Sequence, residues 1–135
     1  MTGLEIVQKV ARLDLPYGSY VIFGSCPMAA AGLRESSDID MLVTEAAHES
    51  LFALGWQELP GKDGDRRLEQ GEFDTHTNWK MADYDPSVED LLQDALWIDG
   101  VPFASLHEVR KWKAIKDRPK DLDDIALIDA FLARR

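Results

Sequence analysis

The feature that most constrains this fold is a pair of short apolar runs. Tyr20 to Phe23 and Ile39 to Val43 consist of aromatic, β-branched and other apolar residues, apart from Asp40 inside the second run. Runs of this kind are typical of strands that are buried on both faces of a sheet. Gly24 and Ser25 end the first run, and a helical pattern follows each run. The alternation of strands and helices predicts an α/β protein.

The rest of the chain continues this pattern of short elements. Periodicity and breaker residues predict helices over residues 3 to 13, 27 to 33, 45 to 54, 88 to 98, 106 to 116 and 121 to 132. Further strands are predicted over residues 56 to 59, once or twice within 66 to 80, and over 101 to 104. Polar residues alternate within 66 to 80, which indicates that this part of the sheet is antiparallel. We therefore expect an α/β fold with a mixed (α+β-like) sheet, flanked by helices and closed by two C-terminal helices.

Length and charge exclude several classes of protein. The 135 residues are enough for one domain, residues 1 to 135, with its own core. The chain has 15 lysines and arginines against 25 acids, a formal charge of −10, which disfavours non-specific binding to nucleic acid. No run approaches the length of about 20 apolar residues that a membrane span requires, and the single cysteine forms no internal disulfide. We expect a cytoplasmic protein without membrane association.

The densest chemical signal lies at the ends of the two apolar runs. Strand alternation puts Asp38 and Asp40 on one face, while Ile39 packs on the other. Two neighbouring carboxylates repel unless cations lie between them, and oxygen ligands of this kind suit Mg²⁺. Gly24 and Ser25 precede a predicted helix N-terminus, where a glycine, a hydroxyl and the helix dipole favour phosphate. The sequence thus predicts a phosphate site and a metal site close together.

These residues resemble a known family. Gly24-Ser25 together with Ser37-Asp38-Ile39-Asp40 is similar to the Gly-Ser…Asp-x-Asp signature of the nucleotidyltransferase superfamily, which includes small antibiotic nucleotidyltransferases, minimal nucleotidyltransferases and AbiEii-type toxins. The stretch from Leu106 to Ile125 resembles the family tail "K…R-x-K-D-x-x-D-I". The resemblance implies a nucleotidyltransferase-like fold. It also implies transfer of a nucleoside monophosphate from a nucleoside triphosphate to an acceptor hydroxyl, with pyrophosphate as the leaving group.

The resemblance further implies two Mg²⁺ ions held by Asp38, Asp40 and a third carboxylate on a later strand. Asp74 and Glu72 lie on the same side of the predicted strand by the two-residue period, so either could supply this group. We favour Asp74, which would bind the metal at the acceptor and help remove the acceptor's proton. His76 shares that face, but we expect it to be an exposed strand histidine.

The predicted phosphate-binding residues come from two parts of the chain: Gly24, Ser25, Arg34, Lys113 and Lys116. Lys113 and Lys116 share a helix face and would neutralise the triphosphate. The stretch from Cys26 to Ala31 departs from the family pattern, which often has a further glycine and a basic residue there. We expect Arg34, which comes later in the chain, to take the place of that basic residue. We expect Cys26 to act only as a spacer. Capping of the last helix explains the acids that begin it, Asp121, Asp123 and Asp124.

Several functional alternatives remain open from the sequence. The acceptor is a small molecule, a protein side chain or an RNA end, and a cationic acceptor would be attracted by Asp63, Asp65, Glu89 and Asp90. Asn78 and Trp79 are candidates for the acceptor pocket. A second copy of the chain or a helical partner protein would complete an open site. A second hypothesis is a degenerate binding or regulatory module with the nucleotidyltransferase fold, and a third is a plain acidic interaction domain.

Overall fold

The computed structural model describes residues 1–134, which form one mixed sheet with helices on both faces. The helices are α1 (Gly3–Ala11), α2 (Cys26–Ala30), α3 (Glu45–Ala53), α4 (Val88–Leu92), α5 (Leu106–Lys116) and α6 (Pro119–Ala133). The strands are β1 (Tyr20–Phe23), β2 (Ile39–Val43), β3 (Gln57–Leu59), β4 (Arg67–Gln70), β5 (Phe73–His76), β6 (Leu96–Ile98) and β7 (Val101–Phe103). The predicted α/β class with a mixed sheet and two closing helices is confirmed.

The two apolar runs form neighbouring central strands of the sheet. The strand order is β3-β4-β5-β2-β1-β7-β6. β1 and β2 are antiparallel, whereas β5 and β7 run parallel to their inner neighbours β2 and β1. The β3–β4–β5 portion is antiparallel throughout, as the alternating polar residues predict. Because β2 and β5 are parallel, their corresponding ends lie side by side.

Alternation along β2 divides the core into two layers. Ile39 and Met41 pack in the cluster that contains Ile6 and Val10 of α1. Leu42 packs in the other cluster, together with residues of β1, α5 and α6. Because side chains alternate between faces, Asp40 lies on the same face as Leu42, which is the α5–α6 face. The fold therefore directs this carboxylate toward the C-terminal helices.

The predicted helix over residues 88 to 98 is wrong in its second half. α4 ends at Leu92, and Leu96–Ile98 forms β6, which pairs with β7 in a hairpin. Asp99 and Gly100 form the two-residue turn and both have positive φ, 48° and 80°. Such a turn matches the twist of paired strands, so Asp-Gly is a strong hairpin signal. The helix predicted over 27 to 33 is also shorter, since α2 ends at Ala30.

Within residues 1–134, none of the helices combines the length and apolar character that crossing a bilayer requires.

Candidate functional site

Two of the predicted carboxylates are neighbours across the β2–β5 pair. Asp40 in β2 lies directly opposite Asp74 in β5, and the two strands are parallel. Residues in register on adjacent strands share one face of the sheet, so both carboxylates point to the α5–α6 side. Strand pairing therefore brings together two of the acids predicted to hold metal.

Gly24 makes room for the Asp40 carboxylate. Its φ of +67° is in the left-handed region, and a Cβ atom at this position would collide with Oδ2 of Asp40 and lie 3.0 Å from the Asp40 Cβ. Phe23, the preceding residue, pairs with Asp40 across β1 and β2. Only glycine combines this backbone conformation with the absence of a side chain. The Gly-Ser turn and the first carboxylate of the site are thus one packed unit.

His76 lies beside the carboxylates of Asp40 and Asp74. Its Nδ1 lies 2.6 Å from Oδ2 of Asp65, and its Nε2 lies 3.5 Å from Oδ1 of Asp74. Among residues 1–134, ligand atoms of Asp40, Asp74 and His76 all lie within 4.8 Å of one another. The side chain is only 17% exposed, so the expectation of an exposed strand histidine was wrong. The two-residue spacing from Asp74 was the signal that could have identified it.

Asp38 occupies a different position from these three residues. Its side chain is exposed, and its backbone oxygen accepts hydrogen bonds from the Cys26 thiol and the Ser36 hydroxyl at 3.1 and 2.9 Å. The carboxylate lies on the wall of a cavity that Asp40 also lines. Asp38 therefore adjoins the carboxylate–histidine group without belonging to it.

The two candidates for the third carboxylate have different partners. Glu72 accepts a 2.7 Å salt bridge from Lys9 of α1, on the face opposite to Asp40. Asp74 lies on the Asp40 face, where Arg67 donates to both of its oxygens at 2.9 and 2.8 Å. The geometry favours Asp74 over Glu72, but it also shows that an arginine of β4 already compensates the charge of Asp74.

Burial controls the charge of Asp40. Desolvation raises the pKa of the Asp40 carboxyl to about 6, and the neighbouring carboxylates of Asp74 and Asp38 act in the same direction. His76 and Lys116 oppose this shift. No donor within residues 1–134 hydrogen-bonds to the Asp40 carboxylate. A partly buried carboxylate without a donor is a group whose ionised form a bound cation would stabilise.

Lys113 faces the Gly-Ser turn from α5, but it is held by acids of α6. Its side chain is 3% exposed, and its Nζ lies 2.9 Å from Asp124 and 3.8 Å from Asp121. It also donates to the Ser25 hydroxyl at 3.4 Å. The capping explanation holds for Asp121, which accepts from the Arg118 backbone, but it was wrong for Asp124. The Asp124 carboxylate instead anchors the lysine.

Lys116 lies one turn further along α5 and is not tied to a carboxylate. Its Nζ is 4.4 Å from the centre of the Trp112 ring, a cation–π distance. Partial burial lowers the pKa of Lys116, and the charge of Arg118 acts in the same direction. Lys113 is paired with acids of α6 and Lys116 has no ion pair within residues 1–134, which makes Lys116 the better candidate for a phosphate contact.

Arg34 and Cys26 are both engaged in contacts with other parts of the protein. Nη1 of Arg34 donates to both oxygens of Asp124, at 2.9 and 3.0 Å, so a phosphate would have to share this arginine with the acid. The Cys26 thiol is buried, and burial raises its pKa to about 11. A protonated, enclosed thiol is a poor nucleophile, which agrees with the interpretation of Cys26 as a spacer.

Two cavities adjoin Asp40. A polar cavity of about 260 Å³ is lined by Ser25, Asp38, Lys113 and Arg118, among others. A cavity of about 370 Å³ beside it has aromatic walls and is lined by Asn78 and Trp79, which were candidates for an acceptor pocket. The residues that line both cavities are Asp40, Trp112 and Lys116. Asp40 thus lies on the wall between the two cavities.

Comparison with known proteins identifies the fold. The sequence matches no protein-family model and no curated protein sequence. Among solved structures, the chain is similar to ANT(2")-Ia, determined in complex with adenylyl-2"-tobramycin, with a TM-score of 0.58 and 19% sequence identity. The likeness covers 94% of this chain and 85% of that one. The chain therefore has a nucleotidyltransferase-like fold.

Proposed function

We propose that the protein is a metal-dependent nucleotidyltransferase that moves a nucleoside monophosphate from a nucleoside triphosphate to an acceptor hydroxyl. The observation that carries this proposal is the position of Asp40, on the wall shared by a cationic polar cavity and an aromatic cavity. Transfer between two substrates needs their reacting groups to meet at one charged point, and most of the catalysis is positioning and charge neutralisation.

The polar cavity has the chemistry of a triphosphate site. It is lined by five basic residues, Arg34, Lys113, Lys116, Arg118 and Lys120, and by the hydroxyl of Ser25. Ser25 is the N-cap residue of α2, but its side chain makes no capping hydrogen bond; the hydroxyl accepts from Lys113 and can still donate its own proton to a ligand. Because Arg34 and Lys113 are shared with Asp124, we assign the main phosphate contacts to Lys116 and Ser25.

The donor set fits a divalent cation. Asp40 and Asp74 offer carboxylate oxygens that converge, and Asp38 adds a third carboxylate in the polar cavity. We propose that Asp38, Asp40 and Asp74 would hold the Mg²⁺ ions that the family resemblance implies. When bound, such ions neutralise the phosphate charge and lower the pKa of the attacking hydroxyl.

The aromatic cavity is the proposed acceptor side. Its charged lining consists of Lys62, Arg67, Lys80 and Lys116 against Asp40 and Asp65. Asp65 is itself bound to His76 and Thr77, so it is not available to attract an amine. We therefore propose a neutral or anionic acceptor of small size, and the cationic acceptor considered from the sequence is disfavoured.

Calorimetric titration with Mg²⁺ and each of ATP, GTP, CTP and UTP tests this proposal. The wild type is compared with the double variant Asp38→Asn, Asp40→Asn. The matched control is Asp83→Asn, Asp85→Asn, which removes the same charge with the same spacing from two exposed positions. We expect metal-dependent nucleotide binding by the wild type and the control, and its loss in the Asp38, Asp40 variant. Equal binding by all three proteins would contradict the proposal.

The salt bridge between Arg67 and Asp74 favours one second candidate, a module that binds the nucleotide without transferring it. Both oxygens of Asp74 accept from the guanidinium, and an acid engaged in this way is a weak base and a weak ligand. Pyrophosphate release in the presence of acceptor mixtures separates the two functions. Tight binding of the metal–nucleotide complex with no release of pyrophosphate, for any acceptor, would support the binding module.

A further inference from the structure

We propose that His76 is a metal ligand of this site through Nε2, together with Asp40 and Asp74, and that the site therefore prefers a first-row transition ion such as Mn²⁺ over Mg²⁺. This inference rests on the proposed function, because it concerns the same metal. It goes further by exchanging an all-carboxylate donor set for a mixed oxygen and nitrogen set. The preference for one ion over another follows from that exchange.

The imidazole of His76 is held in a fixed orientation. Oδ2 of Asp65 lies 2.6 Å from Nδ1, and the other Asp65 oxygen accepts from the backbone N–H of Thr77 at 2.8 Å. The ring also packs edge-to-face on Trp79, with 4.8 Å between the ring centres. When Nδ1 donates its proton to the Asp65 carboxylate, the neutral imidazole presents the lone pair of Nε2 on the side of Asp74.

That lone pair lies close to the carboxylates. Nε2 lies 3.5 Å from Oδ1 of Asp74, and one ligand atom each from Asp40, Asp74 and His76 lie within 4.8 Å of one another. Three electron-rich atoms at these separations repel one another unless a cation lies among them. A carboxylate that orients a histidine toward a metal is the usual outer-shell arrangement of protein metal sites. Asp65, His76 and the two acids have this arrangement.

The charge of the site supports a nitrogen ligand. Arg67 contributes one positive charge against the two carboxylates of Asp40 and Asp74, which leaves a formal charge of only −1 around the convergent atoms. Mg²⁺ loses its hydration water reluctantly and depends on anionic oxygens. Imidazole nitrogen binds Mn²⁺, Co²⁺ and Zn²⁺ more strongly than Mg²⁺. Partial neutralisation of Asp74 thus makes the contribution of His76 larger.

Electron paramagnetic resonance with Mn²⁺ alone tests this inference without any activity measurement. Loss of the free-ion signal gives the affinity, and electron spin-echo envelope modulation reports nitrogen bonded to the metal. We expect nitrogen modulation from the wild type and displacement of Mn²⁺ only by a large excess of Mg²⁺. Bound Mn²⁺ that lacks nitrogen modulation, in the unaltered chain, would overturn the assignment of His76 irrespective of how any variant folds.

Three variants connect the signal to individual residues. His76→Asn should abolish the nitrogen modulation and weaken Mn²⁺ binding by at least about tenfold, and Asp65→Asn should weaken it about 10- to 100-fold while the modulation remains. His107→Asn, at an exposed position on α5, is the matched control and should change neither. Modulation that persists in His76→Asn overturns the inference alone. A wild type that binds neither Mn²⁺ nor Mg²⁺, with or without nucleotide, overturns the proposed function as well.

Discussion

The strand side and the helix side of the site carry opposite charge and neutralise it differently. The strand side consists of Asp40, Asp74 and His76, and the helix side consists of Lys113, Lys116 and Arg118. On the helix side, acids of α6 pair with Lys113 and Arg118 at 2.9 and 2.6 Å. On the strand side, Asp74 is paired, but no donor in residues 1–134 binds the Asp40 carboxylate.

This difference distinguishes charged residues that stabilise the fold from charged residues that remain available to ligands. Lys113–Asp124 joins α5 to α6 from the buried side, and Arg110–Asp129 joins the same helices at the surface with a distance of 2.7 Å. These pairs are complete without a ligand. Within residues 1–134, Asp40 and Lys116 have no ion-pair partner, and both line the two cavities. We infer that the ligands bind between them.

Replacement of Lys113 should produce the largest effect, and it should act on stability. Lys113→Met leaves Asp124 and Asp121 buried with one cation fewer, and removal of one partner of a buried ion pair costs about 3 kcal/mol. Urea unfolding measures the change in the free energy of unfolding. The matched control is Lys111→Met on the same helix, where the ion pair with Glu108 is exposed and contributes about 0.5 kcal/mol. Equal stability of the two variants would show that Lys113 is not a structural cation.

Replacement of Gly24 should break the strand side without removing a charge. In Gly24→Ala the new methyl group displaces the Asp40 carboxylate, and misplacement by about 1 Å costs about 100-fold in rate. Gly32→Ala is the control, because Gly32 has a similar φ of +75° but nothing lies within 4 Å of its Cβ position. Both variants introduce similar backbone strain, so only Gly24→Ala should lose metal-dependent activity. Equal losses would attribute the effect to strain.

Replacement of Lys116 tests the helix-side cation that has no acidic partner, in contrast to Lys113 and Arg118, which are paired with acids of α6. Lys116→Met should raise the dissociation constant of the metal–nucleotide complex about tenfold, since a charged hydrogen bond contributes about 1.5 kcal/mol. The free energy of unfolding should hardly change, in contrast to Lys113→Met. Lys120→Met, at an exposed position of the same cavity, should weaken nucleotide binding less. A larger effect at Lys120 would place the phosphates further from Trp112 than proposed.

The sequence predicted the central strands well because their signals are local. β1 and β2 have the bounds expected from the apolar runs, and Gly24 was recognised from its turn. The hairpin signal at Asp99-Gly100 was also local, but the helix predicted from the preceding acidic pattern was extended to residue 98, over the first strand of the hairpin. That error came from giving periodicity more weight than turn chemistry.

The charge partners could not be predicted in the same way. His76 meets Asp65 across 11 residues through the β4–β5 hairpin, and Arg34 meets Asp124 across 90 residues. Periodicity places a residue on a face of its element, but it does not identify the residue that the fold brings opposite. The sequence therefore singled out Asp40 and Asp74 as candidate site residues, and only the tertiary structure showed that they are neighbours and that Arg67 compensates Asp74.

The smallest predicted effect concerns the pH dependence of metal binding, which reports the protonation of Asp40. The pKa of Asp40 is raised from 3.8 to about 6 by burial, so the folded protein binds this proton more tightly than the unfolded chain does. In the metal-free protein, the resulting stabilisation is present below pH 3.8 and is lost as the pH rises through about 6.

A cation competes with that proton. Between about pH 7 and about pH 5, protonation of a group with a pKa near 6 should weaken metal binding about tenfold. Calorimetric titration of Mg²⁺ at a series of pH values measures this change, and proton release on binding should be largest near the pKa. The control is Asp83→Asn, which removes an exposed carboxylate outside the site and should keep the same pH midpoint. A midpoint near 4 would show that Asp40 is well solvated and that its burial does not prepare it for a metal ion.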